Sequence, residues 1–162
     1  MKPLQLTGLL LALPLALAPA CSRESPAPAA GAPPARHAHH APHGGTPIVL
    51  GDEACHLELV LDAATGTLQA YVLDGELENF IRIPAASLEI DTTVDGLPQT
   101  LVLRAVPSSA TGETVGETAL FATQADWLKT TKTFDATLKS ITVRGTVYSE
   151  VEFSFPQGND ED

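Results

Sequence analysis

A chain of 162 residues, 44% hydrophobic but only 5% aromatic, has room for one ordinary domain and little more. Its 20 acidic against 9 basic residues give a net charge of −11. That balance argues against a reader of nucleic-acid backbones, which needs a basic face to displace counterions.

Lys2 is the only basic residue before an apolar run from Leu9 to Leu17, which ends in Ala18-Pro19-Ala20-Cys21. Residues 1–20 therefore read as a secretory signal peptide. The run is broken by Pro14 and falls short of the roughly 20 residues needed to cross a hydrocarbon core. The small residues before Cys21 resemble the bacterial lipobox, which implies cleavage before Cys21 and its lipidation. Ala18 stands where leucine is commonest in that motif, and the alternative is ordinary cleavage to a soluble secreted protein. By analogy with enteric lipoprotein sorting, Ser22 at the second mature position implies the outer membrane, on the periplasmic side of the envelope. Loss of the first 20 residues removes Lys2 and no acid, so the mature charge is −12 and attachment to lipid would rest on acyl chains. With Cys21 acylated, Cys55 is the only thiol left and no intrachain disulfide can form.

Residues 21–45 read as a flexible tether. Pro26, Pro28, Pro33 and Pro34 lie among alanines with no apolar periodicity, so the segment cannot bury enough surface to offset its ordering entropy. Four of the five histidines, His37, His39, His40 and His43, fall at its end, just before Gly44-Gly45.

Every aromatic residue lies beyond Gly45, and the folded domain is expected over residues 46–156. A short run, Pro47 to Leu50, precedes Gly51-Asp52. From Ala54 to Leu61, Cys55, Leu57, Leu59 and Leu61 fall on one strand face, with His56, Glu58 and Val60 on the other. Leu68, Ala70 and Val72 alternate up to Asp74-Gly75. Phe80 to Ile83 is a weaker strand cut by Pro84, and Leu88 to Asp91 resumes the alternation toward Asp95-Gly96. Leu101, Leu103 and Ala105 follow, then a polar loop from Ser108 to Glu117 and a short strand over Thr118 to Ala122. Gln124 to Thr131 has the one helical spacing. The final hairpin turns at Arg144-Gly145, with Val147, Val151, Phe153 and Phe155 opposite Tyr148, Glu150 and Glu152. Leu138 is out of phase with Ile141, which predicts a bulge near Lys139-Ser140. The expected fold is all-β, an antiparallel sandwich of the immunoglobulin or transthyretin type with seven or eight strands and one short helix. Residues 157–162 read as a frayed acidic tail.

The order His43-Gly44-Gly45, Gly51, His56-Leu57-Glu58-Leu59-Val60 and Tyr71-Val72-Leu73-Asp74, with Thr146-Val147-Tyr148 and Val151-Glu152-Phe153 later, resembles a family of small bacterial envelope lipoproteins. It is also similar to the N-terminal metal-binding module of the periplasmic adaptor subunits of heavy-metal efflux pumps of the resistance-nodulation-division type. The resemblance spans most of residues 43–156, and it implies a role accessory to heavy-metal efflux or homeostasis, with an efflux-system protein as partner. The helical hairpin, lipoyl-like domain and barrel of those adaptors do not follow here, so the bridging function does not carry over.

The residues themselves allow a metal role. Imidazole suits Zn(II) and Cu(II), and a flexible stretch bearing His37, His39, His40 and His43 offers several ligands. His56 and Glu58, two residues apart on one strand face, would supply a fixed imidazole and carboxylate that His43 approaches as Gly44-Gly45 fold back. The alternatives are an incidentally histidine-rich linker and an ordinary surface histidine at position 56. Met1, the only methionine, departs with the signal, and Cys55 points into the expected core, so thioether and thiolate sites are set aside. The chain carries no Gly-x-Ser-x-Gly, Walker or His-Glu-x-x-His motif, and adjacent Cys55 and His56 point to opposite faces, so it reads as a non-enzyme. Two functions remain: a lipid-anchored binder of a divalent transition metal, and a non-catalytic structural or protein-interaction sandwich with no metal role.

Overall fold

The period-two alternation becomes eight strands in the computed structural model, which describes residues 40–160. They are β1 (Thr46–Leu50), β2 (Cys55–Asp62), β3 (Thr67–Asp74), β4 (Ser87–Val94), β5 (Leu97–Ala105), β6 (Leu120–Gln124), β7 (Phe134–Val143) and β8 (Thr146–Phe155). The helical spacing before β7 yields one 3-10 turn, Asp126–Lys129, which buries Leu128. Residues 1–39, which include the expected signal peptide, Cys21, His37 and His39, lie outside the described residues.

All pairings are antiparallel, in the order β1-β2-β3-β6-β5-β4-β7-β8. The expected all-β antiparallel fold is therefore the one observed. Local pattern finds the eight strands, although the weaker strand expected over Phe80 to Ile83 forms only isolated bridges, Leu73 to Phe80 and Ile83 to Thr118. It also finds the hairpins β4–β5 and β7–β8, whose two-residue turns, Asp95-Gly96 and Arg144-Gly145, hold both residues at positive φ. Such turns match the right-handed twist of the strands they join. The β3–β6 and β4–β7 pairings join distant segments and link the whole into one sheet. One core cluster draws on all eight strands, from Ile48 through Leu57, Leu68, Ile90, Leu103, Phe121, Leu138 and Phe155. Each such side chain contributes about 1.5–3 kcal/mol of transfer free energy.

The two ends of the sheet order, β1 and β8, meet across the C-terminal residues. After β8 the chain doubles back, with Ser154 and Gly158 exchanging backbone hydrogen bonds at 3.0 and 2.6 Å. The Asn159 side chain then fills the seam: its Oδ1 accepts from the Val49 amide at 2.8 Å, and its Nδ2 donates to the Val49 carbonyl at 3.1 Å. The Thr46 hydroxyl donates to the Pro156 carbonyl at 3.0 Å. Residues 157–159 are thus a clasp where a frayed tail was expected, because two otherwise unpaired backbone groups of β1 require partners.

Two other expectations are corrected. In β7 the buried positions are 134, 136 and 138, then 141 and 143. The phase switches where the bulge was expected, yet Leu138↔Val151 and Ser140↔Ser149 keep one register, so neither strand gains a residue. Opposite the switch Glu150 adopts φ 52°, and β8 changes phase with β7. That turns Val147 out to 64% exposure and brings Tyr148 against the core, reversing their expected places. The polar face of β2 is also buried, with His56 at 3% and Glu58 at 0% exposure.

Candidate functional site

What lies on Glu58 is the end of the supposed tether. Pro42 sits at the second position of a turn closed by a 3.0 Å bond from the Gly44 amide to the Ala41 carbonyl, a place its fixed φ suits. Gly44 follows at φ 67° in the left-handed region. Gly45 then lies so close to β2 that a Cβ would collide with the Leu59 carbonyl. Only glycine permits that approach. The expected hinge is in this structure a docked turn, and the domain begins before residue 46.

The docking group is Glu58. Its Oε1 accepts from the His43 amide at 2.8 Å and from the Gly45 amide at 2.9 Å, and its Oε2 lies 2.8 Å from His43 Nδ1. Hydrogen bonds to a buried charged acceptor are individually worth about 1.5–3 kcal/mol. The His43 ring stacks on Tyr71, with centroids 3.8 Å apart and planes 15° apart. Tyr71 is the cross-strand partner of Glu58 on β3. Burial, and then the Glu58 charge, hold its phenol above the ordinary value. Phe80 closes the other side, 5.7 Å from His43 and 6.0 Å from Tyr71, and stays 51% exposed. It is held by a bridge to Leu73 and by the loop after Asp74. There the Asp74 carboxylate accepts from the amides of Glu78 and Asn79 and from the Asn79 side chain.

A carboxylate can only accept, so the proton between His43 and Glu58 belongs on Nδ1. In the neutral ring the lone pair is then at Nε2, on a side chain that is 33% exposed. A histidine oriented by a carboxylate in this way is the usual arrangement of a metal-ligating imidazole.

The sequence-derived ligand set is only partly assembled. His43 and Glu58 are brought together, and both oxygens of the Glu58 carboxylate are engaged, Oε1 by the His43 and Gly45 amides and Oε2 by His43 Nδ1. His56, two residues along β2, has its Nδ1 3.2 Å from the Asp74 carbonyl and pairs with Leu73 across the strand. It is buried, at 3% exposure, where the sequence placed it on the polar face of its strand. His40 is described and exposed, whereas His37 and His39 are not described. Among the described residues no group of three or more His, Cys, Asp or Glu is placed to hold a metal. His43 is an imidazole oriented by a carboxylate.

Cys55 is buried, as expected, and burial pushes its thiol up against the opposing effects of Tyr148 and Arg144. An open groove elsewhere, between β4, β7 and β8, carries Asp91, Asp135 and Glu152 but neither imidazole nor thiol. The aromatic pair Tyr71 and Phe80 escaped the sequence reading, because their place beside His43 depends on the register of β2 on β3 and on the bridge from Leu73. Comparison with protein-family models, with curated proteins and with solved structures finds no match.

Proposed function

We propose that the protein is a lipid-anchored, non-catalytic component of the cell envelope that binds a divalent transition metal, Zn(II) or Cu(II), through its histidine-rich segment. One observation carries the metal reading: a fully buried carboxylate, Glu58, holds His43 by its Nδ1. His43 is the anchored ligand, and His37, His39 and His40 are the donors that complete the site. Anchoring at Cys21 and the periplasmic, outer-membrane address rest on the signal and lipobox pattern, and a role beside heavy-metal efflux rests on the resemblance to adaptor modules.

Calorimetric titration of the mature chain with Zn(II) and with Cu(II) tests the reading. Micromolar or tighter binding is expected, lost by about tenfold or more in His43→Ala. Binding that His43→Ala leaves unchanged would contradict the assignment. A second reading, a module that meets a protein partner, draws on Phe80, an aromatic ring 51% exposed beside His43 and Tyr71. One stoichiometric partner that remains bound in the presence of chelator would favour it.

A further inference from the structure

We infer that the rings of His43, Tyr71 and Phe80, with the acidic loop that ends at Phe80, form a recognition site for an arginine side chain on a basic polypeptide. The inference stands apart from the metal reading and needs no ion.

The site is built from side chains already held in place. His43 and Tyr71 stack on each other, and their centroids lie 5.7 and 6.0 Å from that of Phe80. Both therefore meet Phe80 from one side, and its other side faces solvent, at 51% exposure. Phe80 bridges to Leu73 and closes a loop in which the Asp74 amide donates to the Asn79 carbonyl at 2.9 Å. Leu77, at 3% exposure, pins the middle of that loop. Residues 74–80 carry three carboxylates and no lysine or arginine. Asp74 holds the loop, while Glu76 and Glu78 are exposed on either side of Leu77. The next basic residue along the chain, Arg82, is engaged by the Thr111 carbonyl at 2.6 Å and by Glu113 and Glu117.

A fixed, exposed aromatic ring beside carboxylates matches one side chain best. A guanidinium is planar and weakly hydrated, stacks on a ring face, and keeps its N–H groups for neighbouring carboxylates. An ammonium is a compact, strongly hydrated charge that loses more water to make the same contact. Charge narrows the partner further. At −11 the chain repels a second copy of itself, an anionic membrane and a nucleic acid alike, and it draws in a basic polypeptide. The groove between β4, β7 and β8 is acidic too, but the phenylalanines that line it, Phe134, Phe153 and Phe155, are buried. Only the ledge at Phe80 joins exposed carboxylates to an exposed ring.

The test is titration of the metal-free protein with a capped peptide of alternating arginine and glycine, and with its lysine counterpart, followed by NMR through the ring signals of Phe80 and Tyr71. Saturable shifts of both rings are expected with arginine, weaker binding with lysine, and loss of affinity as salt is raised. Phe80→Leu keeps an apolar side chain and removes the ring, and it should weaken binding of the arginine peptide about threefold or more. Glu76→Gln combined with Glu78→Gln should weaken it to a similar degree and flatten its salt dependence. Val147→Ala, at another exposed apolar position, should change nothing. If Phe80→Leu does not fold, the paired glutamine variant and the ring signals of the natural chain decide. Three results overturn the inference: an unmoved Phe80 ring, equal binding of the two peptides, or arginine binding that Phe80→Leu leaves intact. None of these bears on the metal reading, whose probe is Zn(II) or Cu(II) at His43.

Discussion

At the scale of single residues the structure turns on glycine and on one buried acid. Gly45 is where chain and strand touch, and a methyl group there meets backbone that cannot swing aside. Gly45→Ala should therefore undock residues 41–45, seen as loss of amide protection at His43 and at position 45, with the β2 amides still protected. Glu58→Ala removes an acceptor shared by two amides and should lower stability by about 1–3 kcal/mol in urea unfolding. A cost near zero would mean that the segment docks without it. The sequence disclosed part of this. Glu58 and His43 were legible as interacting, from the strand alternation and the glycine pair. Burial of Glu58 was not, because an acid at an alternating position reads as solvated until its cover is known. Burial of His56 was hidden for the same reason.

At the scale of elements, strands and hairpins were legible because alternation and two-residue turns are local signals. The phase change in β7 and β8 was half legible: Leu138 and Ile141 disclosed it on one strand. Its counterpart depends on the left-handed Glu150, which carries no such mark in the sequence. The pairings β3–β6 and β4–β7 were invisible, since they join segments that no loop length dictates. Two loops carry a pH signature. The Asn79 side chain first, then the Asn79 and Glu78 amides, hold the Asp74 carboxyl below its ordinary value. The Thr111 hydroxyl first, then the Ala119 amide, the Thr118 hydroxyl and Arg82, do the same for Glu113. A carboxyl depressed in the folded state stabilises it above the unfolded-state pKa and stops doing so as pH falls through the folded value. Asp74→Ala should thus cost most near neutral pH, and its urea midpoint should converge on that of the natural chain as pH falls below about 4. A gap that persists undiminished at lower pH would show that the loop does not depend on the ionised carboxylate.

At the scale of the whole molecule, the sheet is closed at its seam by a side chain. Asn159 supplies both a donor and an acceptor to Val49, in place of a neighbouring strand. Asn159→Ala should cost about 1–3 kcal/mol and release the Val49 amide to exchange, because both backbone groups lose their partners together. Asp160→Asn, at an exposed neighbour, should leave stability unchanged. The acidic composition of the last residues masked this role, since charge density at a terminus reads as solvation. The same lesson applies at the other end, where a histidine-rich stretch read as tether is in its last residues part of the fold.

The central claim is that His43 is held with its proton on Nδ1, ready to give Nε2 to an ion. The most direct measurement is the imidazole nitrogen NMR spectrum of the protein, recorded metal-free and again with one equivalent of Zn(II). A protonated Nδ1 at His43 in the metal-free protein, followed by a shift of Nε2 on zinc addition, is the result expected. A proton on Nε2, or a His43 ring unmoved by bound zinc, would contradict it.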